Sequence, residues 1–275
     1  MSHNVLPVLH FHQPVGQLDD AIRRICEHSY GMLLDFISSR KIPFTLHISG
    51  PLLGWMAKNR PDLVERVREL VQTGKVELLG GTMYEAILPI IPEMDGLSQI
   101  ALYKKAVKEL FGITPNGFWL PERVWEPHLT SLLSRAGVRY VLLDDYHFRQ
   151  AGIRDPRHSY LMPWREPREA YALLKRRAGD PSSLTVVFAD AEKFGEWTEP
   201  EWARWWLEEF YSKVEADPEL VVRKLGDYAS EFPPRGLAYF PSAAYDKMVR
   251  WSRGHFRNFL ARYPESNNMH KKMLY

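Results

Sequence analysis

Short apolar runs that alternate with stretches of helical periodicity dominate the pattern along the chain. The runs predict buried strands at residues 5–11, 44–48, 76–79, 117–120, 138–143, 184–188 and 237–240. Between most of them, apolar residues recur at spacings of three and four and predict helices at residues 21–37, 61–72, 94–110 and 129–136. Alternating strands and helices are typical of a parallel sheet, either doubly wound or closed into a barrel. Seven strands favour an incomplete or seven-stranded barrel.

The second half of the chain departs from this alternation. Residues 154–181 carry many charges and prolines, so we expect an excursion over the barrel, with a hairpin at residues 171–174. Helices are predicted at residues 202–211 and 220–228, and a helix pair interrupted at Pro264 is predicted over residues 254–275. We therefore expect an α/β catalytic barrel over residues 1–250 and a helical extension over residues 251–275, which would begin a truncated helical domain if the chain is a fragment.

Charge and composition narrow the classes of partner. The chain has 36 basic and 34 acidic residues and a formal net charge of +2, which argues against nucleic acid and anionic membranes as partners. No apolar stretch approaches the roughly 20 residues of a membrane helix. A single cysteine, Cys26, and an N-terminus without the pattern of a secretion signal predict a cytoplasmic protein. The oligomeric state stays open.

Polar side chains gather where the predicted strands end. In barrels of alternating strands and helices, the loops after the carboxyl ends of the strands converge and carry the chemistry. Because residues two apart on a strand point to the same side, His10 and His12 should share one face. The other strand-end candidates are Glu85, Trp119, Glu122, Asp145, His147 and Asp190.

Two of these carboxylates suit the cleavage of a glycosidic bond with retention. That reaction needs a nucleophilic carboxylate and a carboxylic acid about 5–5.5 Å apart. Glu122 and Asp190, from different strand ends, are candidates, and Arg123 or Lys193 nearby could separate their pKa values. The alternative from the residues alone is that Glu122 is a solvated loop charge and Asp190 caps a helix.

A metal site is a rival interpretation of the same strand ends. The set of His10, His12, Asp145 and His147 could bind a divalent ion that activates water. We interpret His47 as a core histidine with satisfied hydrogen bonds. The nine tryptophans could stack on sugar rings or fill the core, and composition alone does not decide between these roles.

Several ordered motifs resemble glycoside hydrolase family 57. They are HFHQP at residues 10–14, GGTMYEAILP at 80–89, GFWLPERVWEP at 117–127, DDYHF at 144–148, DAEKFGEW at 190–197 and FRNFLARYPESNNMHKKML at 256–274. The resemblance implies an incomplete (β/α)7 barrel, a retaining mechanism without metal or cofactor, and an α-1,4-glucan or maltooligosaccharide substrate. It assigns Glu122 as nucleophile and Asp190 as acid/base. It assigns to sugar binding His10, His12, Glu85, Trp119, Asp145, His147, Trp197 and Trp251.

The chain also departs from the family pattern. Ala191 replaces the usual glycine after the acid/base, where a methyl group would matter if the backbone needs positive φ. Lys247 and Arg250 stand where acids are expected. Two functions therefore stay open: a hydrolase or transglycosylase, and an α-glucan-binding homologue with little or no turnover. Whether water or a sugar is the acceptor is also open.

Overall fold

The computed structural model describes residues 2–153, 158–161, 166–175, 183–234, 236–258 and 263–273. Its strands are β1 (His3–Phe11), β2 (Phe44–Ile48), β3 (Val76–Leu78), β4 (Gly117–Phe118), β5 (Tyr140–Val141), β6 (His158–Leu161), β7 (Leu184–Asp190) and β8 (Leu220–Val222). Its helices are α1 (Asp19–Ile25), α2 (Gly31–Ser39), α3 (Gly50–Asn59), α4 (Pro61–Gln72), α5 (Glu93–Phe111), α6 (Leu129–Arg135), α7 (Asp145–Gln150), α8 (Pro167–Lys175), α9 (Pro200–Ala216), α10 (Leu225–Glu231), α11 (Asp246–Trp251) and α12 (Pro264–Met273).

Every strand pairing in the described residues is parallel. One sheet has the order β3-β2-β1-β7-β6, and β4 pairs with β5. A parallel bridge between Gly80, just after β3, and Phe118 of β4 links the two sheets. The sequence of neighbours is therefore β6-β7-β1-β2-β3-β4-β5, which is the predicted incomplete (β/α)7 barrel. Strand β8 pairs with the beginning of β1, at His3 to Val5, below the point where β2 joins β1.

The alternation of side chains along β1 and β7 separates two layers of core. All nine residues of β1 are buried. Val5 and Leu9 pack in the large cluster with the surrounding helices, whereas Leu6 and Val8 pack in a smaller cluster inside the barrel. In β7, Val186 and Phe188 belong to that inner cluster. A strand buried on both faces reads as the continuous apolar run seen in the sequence.

The helix predicted over residues 21–37 is interrupted. Helices α1 and α2 are joined by a π-helical turn over Cys26–Tyr30. Such turns widen a helix locally and are frequent at functional sites. This turn packs against the segment that follows β7, as described below. Among the described residues, none of the helices has the length and apolar character that crossing a bilayer requires.

Three predicted elements are wrong. Residues 171–174 lie in α8 and form no hairpin, and residues 220–228 form β8 followed by α10. Residues 237–240 form no strand, and Leu237 is fully exposed there. The barrel strand that the sequence did not reveal is β6, inside the interval predicted as an excursion. For β8 and β6, pairing with a distant strand decides the structure: β8 pairs with β1, and β6 pairs with β7.

The helix predicted before Pro264 is also incomplete. Residues 252–257 form turns, residues 259–262 lie outside the described residues, and α12 begins at Pro264 as predicted.

A core truncation should test the buried helical layer. Leu33 in α2 is fully buried in the large cluster, so Leu33→Ala should lower the free energy of unfolding by about 2–5 kcal/mol, through lost transfer energy and the cavity left behind. The measurement is equilibrium unfolding in denaturant. Leu102→Ala in α5, where the side chain is 50% exposed, should change it by about 0.5 kcal/mol or less. Equal losses in both variants would contradict this assignment of the core.

Candidate active site

A cavity of about 420 Å³ opens at the carboxyl end of the barrel strands. It lies where the inward-facing residues of β1 and β7 change from apolar to polar. His10 follows Leu6 and Val8 on β1, and Asp190 follows Phe188 on β7. His10 and Asp190 are paired in the register of the two strands. Side chains that line the cavity are His10, His12, Gln13, Pro14, Gln17, Ala21, Arg24, Ile25, Glu85, Trp119, Glu122, Arg123, Asp190, Glu192, Glu196, Trp197 and Tyr245.

Left-handed backbone conformations place three of the lining residues. Glu85 has φ 54°, Glu122 has φ 51° and Arg123 has φ 46°. Such conformations cost non-glycine residues about 1–3 kcal/mol each and persist only where the surroundings hold them. Glu122 and Arg123 lie in the turn Pro121–Arg123. His147 holds this turn, because its Nε2 donates a hydrogen bond to the Arg123 carbonyl oxygen at 2.8 Å. The Asp144 carboxylate lies 3.7 Å from Arg123 Nε.

Stacked aromatic rings form the floor of the cavity. The His10 ring stacks on Trp119 at 4.2 Å and on His47 at 5.0 Å. The Nδ1 atoms of His10 and His47 are 2.9 Å apart, so one of them donates a hydrogen bond to the other. Burial, chiefly, lowers the pKa of both imidazoles well below the ordinary value. Both rings are therefore neutral at neutral pH.

Unpartnered polar atoms surround the cavity. Within the described residues, the buried side-chain atoms without a hydrogen-bond partner include His12 Nδ1, His47 Nε2, Glu85 Oε1, Trp119 Nε1 and Arg123 Nε. A buried polar atom left unpaired costs about 1–3 kcal/mol. Four of the five, those of His12, Glu85, Trp119 and Arg123, belong to side chains that line the cavity. They indicate a site built for a polar ligand that completes their hydrogen bonds.

The carboxyl groups of the cavity have different electrostatic surroundings. Burial, and secondarily the charge of Glu122, raise the pKa of Glu85 to about 8. Burial also raises the pKa of Asp190, although the Arg123 guanidinium opposes this shift. Glu122 is solvent-exposed beside the Tyr245 phenol, whose pKa is raised to about 12 by burial and by the charge of Glu122. The raised pKa values thus favour the protonated forms of Glu85 and Asp190, whereas Glu122 beside them faces water.

The π-helical turn Cys26–Tyr30 supports the segment that carries Asp190. The Ser29 hydroxyl donates to the Ala191 carbonyl oxygen at 2.7 Å, and the Tyr30 hydroxyl donates to Glu192. Glu192 also accepts a hydrogen bond from the His12 backbone N–H at 2.9 Å. At the rim, Arg24 Nη2 donates to Glu196 at 2.7 Å.

The structure brings together seven of the predicted site residues. The cavity is lined by His10, His12, Glu85, Trp119, Trp197, Glu122 and Asp190. Asp145, His147 and Trp251 are not among the lining residues: Asp145 and His147 lie in α7, and Trp251 stacks on Tyr263 at 6.0 Å between ring centres. Their role in substrate binding stays a prediction.

Two predicted interpretations of histidines need correction. The metal set that included Asp145 and His147 is not assembled, because His147 bonds to Asp144 and Arg123 instead. Among the described residues, the group with suitable spacing is His10, His12 and Glu85. His47 is fully buried as expected, but its Nε2 has no hydrogen-bond partner, so it is not a satisfied core histidine.

The departures from the family pattern do not reach the cavity as expected. Ala191 is not among the residues with positive φ, so its methyl group adds no strain of that kind. Lys247 and Arg250 are exposed and do not line the cavity, and Arg250 pairs with Asp246 one helical turn away.

Five residues that line the cavity were not predicted as site residues: Gln13, Glu192, Glu196, Arg24 and Tyr245. Glu192 and Gln13 lie inside the motifs that resemble the family, close in sequence to Asp190 and His12. That closeness could have indicated their place in the site. Tyr245 reaches the cavity because residue Ala243 bridges Trp125 in an antiparallel pair next to the Glu122 turn. A contact across more than a hundred residues leaves no local pattern.

Comparison with known families gives two matches along the chain. The family described as "Glycosyl hydrolase family 57" matches residues 17–177. The family described as "Alpha-amylase/4-alpha-glucanotransferase, middle domain" matches residues 254–275.

Individual relatives agree with these matches. The chain is 35% identical to "Alpha-amylase 1" of Dictyoglomus thermophilum, over 97% of this chain and 47% of the relative. It is 32% identical to the "4-alpha-glucanotransferase" of Thermococcus litoralis, over 97% and 49%. The chain thus spans about half the length of the curated relatives it matches.

Solved structures confirm the predicted fold. The crystal structure of the Thermococcus litoralis 4-alpha-glucanotransferase superposes with a TM-score of 0.92 at 31% identity, over 100% of this chain and 52% of that one. A GH57-type branching enzyme from Pyrococcus horikoshii superposes with a TM-score of 0.74 at 14% identity, over 92% and 76%, which is a likeness of fold.

A glycine behind the cavity should be indispensable for stability. Gly195 has φ 101°, and a Cβ there would lie 2.2 Å from the His28 carbonyl oxygen of the π-helical turn. Gly16→Ala is a matched control, because Gly16 also has positive φ (82°) but nothing lies within 4 Å of its Cβ position. Equilibrium unfolding should show a loss of about 1–2 kcal/mol for Gly16→Ala and a clearly larger one for Gly195→Ala. Similar losses of unfolding free energy in the two variants would show that the contact with His28 does not affect stability.

Proposed function

This chain belongs to glycosyl hydrolase family 57, and we propose that it cleaves α-1,4-linked glucans with retention, with Glu122 as nucleophile and Asp190 as acid/base. The observation that carries the proposal is the pair of carboxyl groups on one cavity. They come from different elements, the turn Pro121–Arg123 and the end of β7. They share the cavity lining with side chains that have unpartnered polar atoms.

In the first step, Glu122 attacks the anomeric carbon while Asp190 gives its proton to the departing glycosidic oxygen. A general acid must be protonated before the reaction, and burial of Asp190 favours that state by raising its pKa. The exposed Glu122 carboxylate is available as the nucleophile. The product of this step is a glycosyl-enzyme ester and a shortened glucan.

In the second step, Asp190 takes a proton from the incoming acceptor, which attacks the anomeric carbon and releases Glu122. Water as acceptor gives hydrolysis, and a glucose hydroxyl gives transfer. Relatives named alpha-amylase and 4-alpha-glucanotransferase match this chain about equally well, at 35% and 32% identity, which supports both outcomes.

The substrate would be held by hydroxyl contacts and by stacking. His12 Nδ1, Glu85 Oε1 and Trp119 Nε1 lack partners and would bind hydroxyl groups of the sugar at the cleavage point. Trp197 is 54% exposed at the cavity and offers its ring to a neighbouring sugar. His10, stacked on Trp119, would fix the floor.

An α-glucan-binding homologue without turnover was the second hypothesis. Three of its grounds are the departures from the family pattern at Ala191, Lys247 and Arg250. These grounds are weakened, because Ala191 has no positive φ and neither Lys247 nor Arg250 lines the cavity.

The direct test is product analysis with maltoheptaose. Wild type should produce shorter chains, with longer ones alongside if transfer competes with hydrolysis. Glu122→Gln and Asp190→Asn should each lower kcat/KM at least about a hundredfold, since each removes a group that acts in the transition state. Glu126→Gln is the matched control, because Glu126 lies in the same segment but pairs with Arg257.

The outcomes separate the hypotheses. Loss in the two cavity variants and retention in Glu126→Gln supports the proposal. Glucan binding without turnover in wild type, unchanged by Glu122→Gln, supports the binding homologue and overturns the catalytic assignment.

The pH dependence tests the role of Asp190 separately. As pH rises through the pKa of the general acid, Asp190 loses its proton and kcat/KM falls. The Arg123 cation lowers the pKa of Asp190, so Arg123→Met should raise it and move the alkaline limb of the kcat/KM profile to higher pH. Arg24→Met, which removes a cation paired with Glu196 at the rim, should leave the limb in place. A limb that moves to lower pH in Arg123→Met would contradict the assignment.

A further inference from the structure

We propose that His10, His12 and Glu85 form a binding site for a zinc ion, and that the bound ion competes with the glucan for the floor of the cavity. The binding of the ion does not depend on the proposed function, and only the competition does. Because the three side chains line the cavity proposed for the glucan, a bound ion would inhibit turnover.

The geometry of the three side chains supports a single ion. Glu85 Oε2 lies 3.9 Å from His10 Nε2 and 3.7 Å from His12 Nδ1, and one ligand atom from each residue lies within 4.8 Å of the others. Tetrahedral zinc with bonds of about 2.0–2.2 Å separates its ligand atoms by about 3.4 Å. Closing the site needs shifts of a few tenths of an ångström between Glu85 and each histidine. The ligand nitrogens of His10 and His12, which lie within 4.8 Å of each other, would approach by up to about 1.4 Å.

The surroundings of the ligands support the same interpretation. His12 Nδ1, one of the three ligand atoms, is buried and has no hydrogen-bond partner. The other oxygen of the Glu85 carboxyl, Oε1, also has none. A histidine that binds a metal through one nitrogen commonly donates its other N–H to a neighbour. His10 can do this, because its Nδ1 lies 2.9 Å from His47 Nδ1 while Nε2 faces Glu85. Binding of the ion would select this tautomer.

The chemistry of the donors favours zinc over magnesium or calcium. Two imidazole nitrogens and one carboxylate oxygen form a three-ligand set with a fourth position for water, whereas magnesium and calcium prefer oxygen ligands. The nearby cavity carboxylates, Glu122 and Asp190, would also attract the cation, whereas the Arg123 guanidinium in the same lining would repel it. Because His10, His12 and Glu85 all line the cavity, an ion held by them occupies space that the sugar would need.

Binding is tested by equilibrium dialysis of the full chain against zinc chloride, and by titration with cobalt, whose visible absorption reports tetrahedral coordination. We expect one zinc ion per chain. His12→Asn and Glu85→Gln should each weaken binding at least about tenfold, since even the loss of a partner outside the ligand set can cost that much. Unfolding midpoints check that each variant is folded.

A surface histidine supplies the matched control. His128 is exposed and its Nδ1 lies 3.4 Å from Glu126 Oε2, so this pair offers a histidine beside a carboxylate but no second histidine. His128→Asn should bind zinc as wild type does. No zinc binding by wild type, or equal binding by the His12→Asn, Glu85→Gln and His128→Asn variants, would overturn the proposal.

Competition is tested in the Glu122→Gln variant, which should bind maltoheptaose without turning it over. Maltoheptaose should abolish the cobalt absorption if the two ligands share the floor. Persistence of the absorption at saturating glucan, with glucan binding established separately, would overturn the competition. Wild-type turnover should be undiminished by a chelator and lowered by zinc. Loss of turnover in the chelator would instead favour a metal-dependent hydrolase.

Discussion

The parallel pairing of β1 with β7 is the constraint on which the site depends. The pairing runs from Asn4 and Leu184 to His10 and Asp190, so the last matched pair of residues is also the pair that opens the cavity. Because side chains alternate along a strand, the register that points Val8 and Phe188 into the barrel must point His10 and Asp190 the same way. A slip of either strand by one residue would turn its polar side chain toward the helices and move its inward apolar residues out of the barrel.

Burying these ionisable side chains at the end of the barrel is unfavourable by itself, and contacts elsewhere in the site offset the free energy that it costs. Burial penalises charge on His10, Glu85 and Asp190, and the left-handed residues store backbone strain. The supports come from elements outside the segments that carry Glu122 and Asp190. They are the π-helical turn behind Asp190, and α7 with its His147 behind the Glu122 turn. A continuous α-helix over residues 21–37 would not present Ser29 and Tyr30 in this arrangement. The irregular elements are therefore those that hold the site.

Local rules of sequence predicted most of the barrel and much of the site. Strand β2 and helix α4 have the predicted bounds, because an apolar run and an amphipathic repeat with Pro61 at its start are self-sufficient signals. Six of the seven lining residues stood out as polar or aromatic groups at the ends of apolar runs, and Trp197 followed only from the family resemblance. What failed was set by distant partners: β6 and β8 exist through β7 and β1, and Tyr245 reaches the cavity through Ala243 and Trp125.

The chemistry of the unpartnered atoms favours a neutral, hydroxyl-rich ligand across the cavity as a whole. Trp119 Nε1 and Arg123 Nε can only donate, Glu85 Oε1 can accept, and His12 Nδ1 can do either according to its tautomer. A hydroxyl group both donates and accepts, so it can satisfy each of them. A phosphate or carboxylate would satisfy the donors but would meet Glu122 and Asp190 at close range. A cation would satisfy the acceptors and leave the donors of Trp119 and Arg123 unpaired. The mixed set of donors and acceptors thus favours a sugar on the same floor where two histidines and a glutamate are spaced for a metal.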